Sequence, residues 1–139
     1  MYLNCKTYYS FRYGTYSTEE LVEAAVAHGV DCLALTNINA TYDEWEFVQR
    51  CHKEGIRPVL GTEVRNDDRL LYILIAANNS GLVQIHEFLS AHLTAKKPFP
   101  EPEMLNGFFS SSEDGFVIYR PEAKPLPALW PNERIGILP

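Results

Sequence analysis

The chain has 139 residues, 46% of them apolar and 12% aromatic, enough for one domain with its own core. Eighteen acidic against twelve basic residues leave a net charge of −6, and the basic residues are scattered, so direct nucleic-acid binding by this segment is disfavoured. Cys5, Cys32 and Cys51 show no CxxC spacing and Met1–Lys6 has no leader-like composition, which excludes metal ribbons, disulfide frameworks and membrane spans and predicts reduced thiols in the cytoplasm.

In chain order, a first strand is read at the start, with Asn4 and Lys6 just beyond it. Ser17 and Glu20 form a capping box, because each side chain satisfies a free N–H at a helix start. Leu21, Val22, Ala24, Ala25 and Val26 give that helix its apolar face, His28 suits its last turn, and Gly29 stops it. Cys32–Thr36 is too short for a helix and reads as a strand buried on both faces. The same grammar repeats, with a box at Thr41 and Glu44, then Trp45, Phe47, Val48 and Cys51 at roughly helical spacing, Gly55 as the stop, and a strand at Arg57–Leu60. Leu70–Ala76 is a further strand. Ser80 and Gly81 open a third helix with Leu82, Ile85, Phe88, Leu89 and His92 near one stripe.

Strands separated by capped helices predict βαβ units and a mostly parallel sheet, either doubly wound or curled into a barrel. Residues 1–95 are therefore read as regular βα units. Residues 96–139 are read as an irregular, proline-rich part: a connector at Lys96–Pro102, a loop at Ser110–Gly115, and short strands at Phe116–Tyr119 and Ile135–Leu138. Pro121, Pro125, Pro127 and Pro131 forbid regular structure between those strands. The stop at Pro139, one residue past an apparent strand, predicts a piece of a longer chain.

Ligands of parallel α/β folds gather beyond the carboxyl ends of the strands. Those positions hold Asn4, Lys6, Asn37, Ile38 and Glu63, one carboxylate and no imidazole. The frame Asn4-Cys5-Lys6-Thr7-Tyr8-Tyr9-Ser10 with Gly14, the run Leu33-Ala34-Leu35-Thr36-Asn37-Ile38, the intact Pro58-Val59-Leu60-Gly61-Thr62-Glu63, and Leu71 leading through Ala76 to Asn78-Asn79-Ser80-Gly81 occur in that order. In order and spacing the chain resembles the polymerase and histidinol phosphatase (PHP) domain at the start of the bacterial DNA polymerase III alpha subunit.

The resemblance implies part of a distorted (β/α)7 barrel, mostly parallel, of nearly twice this length, with an exposed sheet edge through which a fragment self-associates. It also implies a metal cluster held by His, Asp and Glu. Here the ligand positions read Asn4, Lys6, Asn37, Ile38 and Leu71, with Glu63 alone retained, so a degenerate metal site with no metal, no cofactor and no catalytic residue is expected. Lys6 is expected either to pair with Glu63, replacing lost cation charge, or to reach into solvent.

The histidines fall on predicted helices: His28 and His52 in last turns, His86 and His92 on the third helix. His28 and Asp31 lie at the strand N-terminal end, away from any expected site. Ser10 lacks a matched His and Asp and is assigned a loop hydrogen bond. The aromatic group Tyr8, Tyr9, Phe11, Tyr13 and Tyr16 fits an intrachain interface better than a base-stacking platform, given the acidic balance.

The expected function is a noncatalytic scaffold in DNA replication. Its partners are the remainder of the alpha chain and the proofreading exonuclease subunit, with no membrane and no direct nucleic acid. This segment by itself is expected to be inactive, while the parent it resembles is a DNA-directed DNA polymerase, a nucleotidyltransferase. The alternatives are a residual metal-dependent phosphoesterase or exonuclease using Glu63 with ligands beyond residue 139, and a single-strand nucleic-acid-binding module built on the tyrosines.

Overall fold

The first helix begins where its sequence requires. Ser17 Oγ accepts from Glu20 N at 3.2 Å and the Glu20 carboxylate accepts from Ser17 N at 2.7 Å, closing the box. In this computed structural model, which describes residues 1–136, helix α1 runs Thr18–Ala27 and the chain turns at Gly29 with φ 64°. The box expected at Thr41 and Glu44 is not formed: α2 runs Glu44–Lys53 after Asp43, whose side chain makes no cap bond. Its carboxylate accepts instead from Thr7, Thr18 and Asn37, three donors brought by other segments. Helix α3, Asn79–Ala95, opens one residue before Ser80, because Asn78 caps it: its Oδ1 accepts from Gly81 N at 2.9 Å.

Strands β1 (Tyr2–Cys5), β2 (Cys32–Leu35), β3 (Arg57–Asn66), β4 (Arg69–Ala76), β5 (Gly115–Tyr119) and β6 (Glu133–Ile135) form one sheet in sequence order. β1 with β2, β2 with β3, and β5 with β6 pair in parallel. The first two parallel pairings are the expected βαβ units. β3 departs from expectation. It continues past Leu60 to Asn66, turns through Asp67 at φ 52°, and returns as β4 in an antiparallel hairpin with no helix between. Gly61 permits this: a Cβ there would lie 2.2 Å from the Leu74 carbonyl oxygen across the hairpin. β4 and β5 are also antiparallel, so the sheet is mixed with parallel pairings in the majority.

The irregular part supplies β5 and β6 to the same sheet, and its prolines permit single 3₁₀ turns at Pro102–Met104 and Leu126–Ala128. Of the expected strand Ile135–Leu138, Ile135 lies in β6, whereas Ile137 and Leu138 lie outside the described residues.

Two apolar clusters cover the sheet. α1 and α2 bury Val22, Ala25, Phe47 and Cys51 against Leu33, Leu35 and Ile56. Trp45, expected with them, is instead 75% exposed. α3 and the irregular part bury Ile85, Leu89, Phe99, Leu105 and Phe109 against Val64, Leu71, Tyr72, Leu74, Val117 and Tyr119. The sheet curls, so that Leu3 and Asn4 of β1 share one cavity of about 630 Å³ with Ile73 of β4 and Ile118 of β5. No helix among the described residues is long and apolar enough to cross a membrane. All three cysteines are free thiols, and burial pushes Cys51 up to about 11, which keeps it protonated.

Candidate functional site

The parallel register places Cys5 beside Leu35 and Leu35 beside Leu60, so the residues following each position meet at one end of the sheet. Glu63 is central there. It lies within β3 rather than beyond a strand end, and it is 1% exposed. Asn4 likewise belongs to β1, with Lys6 just after it.

Glu63 Oε2 accepts from Lys6 Nζ at 2.8 Å and from Asn4 Nδ2 at 2.9 Å, while Oε1 accepts from Arg65 Nε. Asn4 Oδ1 in turn accepts from Lys6 Nζ at 2.8 Å and from Thr36 Oγ1 at 2.7 Å. Burial raises the Glu63 carboxyl. Hydrogen bonds from Lys6 and Asn4, the Lys6 charge and the bond from Arg65 outweigh that effect and hold it below its ordinary value. The carboxylate is therefore ionised at neutral pH.

Asn37 faces a second network. Its Oδ1 accepts from Thr7 N at 2.9 Å and Ser10 Oγ at 2.8 Å, and its Nδ2 donates to Asp43 Oδ1 at 2.7 Å and Thr7 Oγ1 at 3.0 Å. All four hydrogen-bonding positions of the amide are filled. Thr7 Oγ1 and Thr18 Oγ1 donate to Asp43 Oδ2, and Ser10 Oγ also accepts from Ile38 N. The two networks touch through backbone: Glu63 N donates to the Asn37 carbonyl, and Ile38 bridges to Glu63 in parallel fashion.

Of the positions singled out in the sequence, Asn4, Lys6 and Glu63 thus meet directly, with Asn37 and Ile38 adjoining them. Leu71 does not join them and packs in the apolar core with Val64 and Tyr72. Arg65 was missed. It lies two residues beyond Glu63, a spacing that shares a face along a strand, but that signal is readable only if β3 is extended past Leu60. Its guanidinium sits 4.2 Å from the centroid of Tyr13, whose hydroxyl donates to Asp68 at 3.3 Å. Asp43, Thr7 and Thr18 were missed too, and no local pattern marks them.

The histidines lie apart from this cluster. His86 Nε2 is 2.9 Å from Glu44 Oε2, His92 bonds the Phe88 carbonyl and stacks on Phe99, and His28 and Asp31 are exposed. No group of three or more His, Cys, Asp or Glu placed to hold a metal occurs among the described residues. Tyr8, Tyr9, Phe11, Tyr13 and Tyr16 are all exposed beside the cluster's loop, with Tyr8 and Tyr9 rings 4.7 Å apart.

The fold is similar to that of a solved amidohydrolase from Chromobacterium violaceum. The TM-score is 0.62 at 13% identity, over 88% of this chain and 66% of that one. Residues 3–120 match the PHP domain, and the chain belongs to that family. It is 30% identical over 97 residues to DNA polymerase III subunit alpha of Streptococcus pyogenes serotype M3, a stretch that is 68% of this chain. The same subunit of Staphylococcus aureus strain Mu50 is 30% identical over 92 residues, 64% of this chain. In both cases the match spans 9% of the relative's length.

The donor chemistry does not fit a divalent ion at these strand ends. Such an ion needs carboxylate or imidazole lone pairs. Asn4, Asn37 and Ser10 are committed to protein partners, and both carboxylates have their oxygens filled, Glu63 by an ammonium, an amide and a guanidinium and Asp43 by the Asn37 amide and two threonine hydroxyls.

Proposed function

We propose that this chain is a noncatalytic PHP domain acting as a structural and docking scaffold within a replicative DNA polymerase III alpha chain. The observation that carries the reading is the double pairing of Glu63 with Lys6 and Arg65: two fixed cations stand where a metal-dependent phosphoesterase must receive a mobile one. Asn37 supports it, because its amide is spent on the Thr7, Ser10 and Asp43 network. The vestigial positions are Asn4, Lys6, Asn37, Ile38 and Glu63, with the sixth expected position, Leu71, set apart in the apolar core.

The remainder of the alpha chain is the first partner, with the proofreading exonuclease subunit a second, in the cytoplasm. Exposed Phe11, Tyr16, Tyr42 and Trp45 supply aromatic side chains of the kind that anchor protein interfaces. Metal analysis of the purified chain together with hydrolysis of an aryl phosphate tests the reading. Substoichiometric metal and no EDTA-sensitive turnover are expected. A stoichiometric metal with EDTA-sensitive hydrolysis overturns it and returns the chain to the phosphoesterases.

A further inference from the structure

The cluster around Glu63 holds more positive charge than Glu63 neutralises. Lys6 and Arg65 set two cations against the buried carboxylate of Glu63, and the second carboxylate, that of Asp68, lies at the exposed rim. Donors are left over. The Lys6 ammonium has three protons and spends two, on Asn4 Oδ1 and Glu63 Oε2. Arg65 sends Nε to Glu63 and Nη1 to the Asp68 carbonyl, and Nη2 has no protein acceptor among the described residues. Each of the two side chains keeps 13% of its surface open to solvent. The Tyr13 ring lies over the guanidinium and orients its plane. Besides Glu63, the carboxylate nearby is Asp68, which accepts from the Tyr13 hydroxyl.

We propose that the Lys6, Arg65 and Asn4 face of this cluster is an oxyanion site that takes a phosphate group directly on ammonium and guanidinium donors, with no metal between. This rests on the noncatalytic reading and goes beyond it: the strand ends have changed the sign of the ion they attract. A divalent cation approaching Glu63 meets two fixed positive charges, whereas a phosphate meets the unspent N–H donors of the same two cations. Arg65 suits the task because a planar guanidinium offers paired donors in the spacing of phosphate oxygens.

The probe is inorganic phosphate titrated into the whole chain at neutral pH and constant ionic strength, with chloride as the control anion. Calorimetry reads affinity and amide chemical shifts read location. A parallel titration with a nucleoside 5′-monophosphate distinguishes free phosphate from phosphate carried on a larger group.

Saturable binding is expected, with shifts centred on Lys6, Tyr13 and Arg65. Lys6→Met and Arg65→Gln should each weaken it about tenfold, the loss of one charge-assisted donor, while Lys6→Arg retains it. Glu63→Gln should strengthen phosphate binding, because it removes the carboxylate that competes for the same donors. A metal cage responds to that substitution in the opposite direction.

No saturable binding above the chloride control overturns the proposal, as does weaker phosphate binding by a folded Glu63→Gln variant. Where that variant does not fold, the contrast between Lys6→Met and Lys6→Arg decides, and equal affinities overturn it. Phosphate binding that appears only with added divalent metal overturns both this proposal and the noncatalytic reading. Absent binding by a metal-free chain overturns this proposal alone.

Discussion

Lys124 and Glu133 form an ion pair with almost no solvent access, the side chains being 3% and 0% exposed and the closest atoms 2.8 Å apart. Lys124 also donates to the Leu105 carbonyl. Glu133 accepts from the Tyr119 hydroxyl at 2.7 Å and from Trp130 N at 2.9 Å. The pair pins the proline-rich stretch between β5 and β6, where missing N–H groups prevent a ladder from doing so. Lys124→Met leaves a buried carboxylate without its cation and should destabilise the chain by about 3–5 kcal/mol. Lys124→Met with Glu133→Gln should recover part of that loss. Urea unfolding of the single and double variants measures both.

Acid should act on Glu63. Its folded value is depressed by its partners below the unfolded value of about 4.3, so its contribution is present above that pH and disappears as pH falls through the folded value. The urea midpoint is expected to drop with acidification in that window, and the drop should be smaller in Glu63→Gln. Identical pH profiles for the two proteins would refute this assignment.

Asn37→Asp puts a carboxylate at one of the positions where the resemblance implies a lost metal ligand. It also turns a donating amide into an acceptor 2.7 Å from Asp43 Oδ1. Two buried carboxylates cannot both ionise at that distance, so the substitution should cost about 2–4 kcal/mol at neutral pH. The penalty should shrink in acid, where one proton is shared by the pair. Thermal melts across pH are the check, and a gain in metal binding is not expected.

Gly61→Ala should disrupt the β3–β4 hairpin, since the new Cβ meets the Leu74 carbonyl at 2.2 Å and neither backbone has room to move within a paired sheet. A loss on the order of 3 kcal/mol is expected. Amide exchange would show it first in Gly61–Asn66 and Arg69–Ala76.

The sheet ends at β1, where Tyr2 and Leu3 are 58% and 40% exposed. An open edge of this kind is a template for a second chain, and association of this chain through it is expected to grow with concentration. Light scattering across a concentration series should show dimer, and a constant monomer mass would rule the edge out as an interface.

The three helices, the start of α1 and the glycine stops after α1 and α2 were legible in the sequence because their causes are local. Ser17 and Glu20 are three residues apart, Gly29 and Gly55 follow the helices they stop, and the apolar runs at Cys32–Thr36 and Arg57–Leu60 needed no partner to be read as strands. Lys6 was singled out because it follows the first strand and Glu63 because it comes three residues after the run Arg57–Leu60, although β3 continues through Glu63 to Asn66. Tertiary structure decided the rest. Whether Asp43 caps a helix or serves Thr7, Thr18 and Asn37 depends on donors up to 36 residues away, and the long-range donors won. The length of β3 depends on β4 arriving to pair with it, and that length is what puts Arg65 on Glu63. A strand buried on both faces carries no period to mark its end, and a carboxylate carries no local sign of which cation will reach it. Those choices are made by the distances the folded chain sets, so the pairing of Glu63 with its two cations belongs to the tertiary structure.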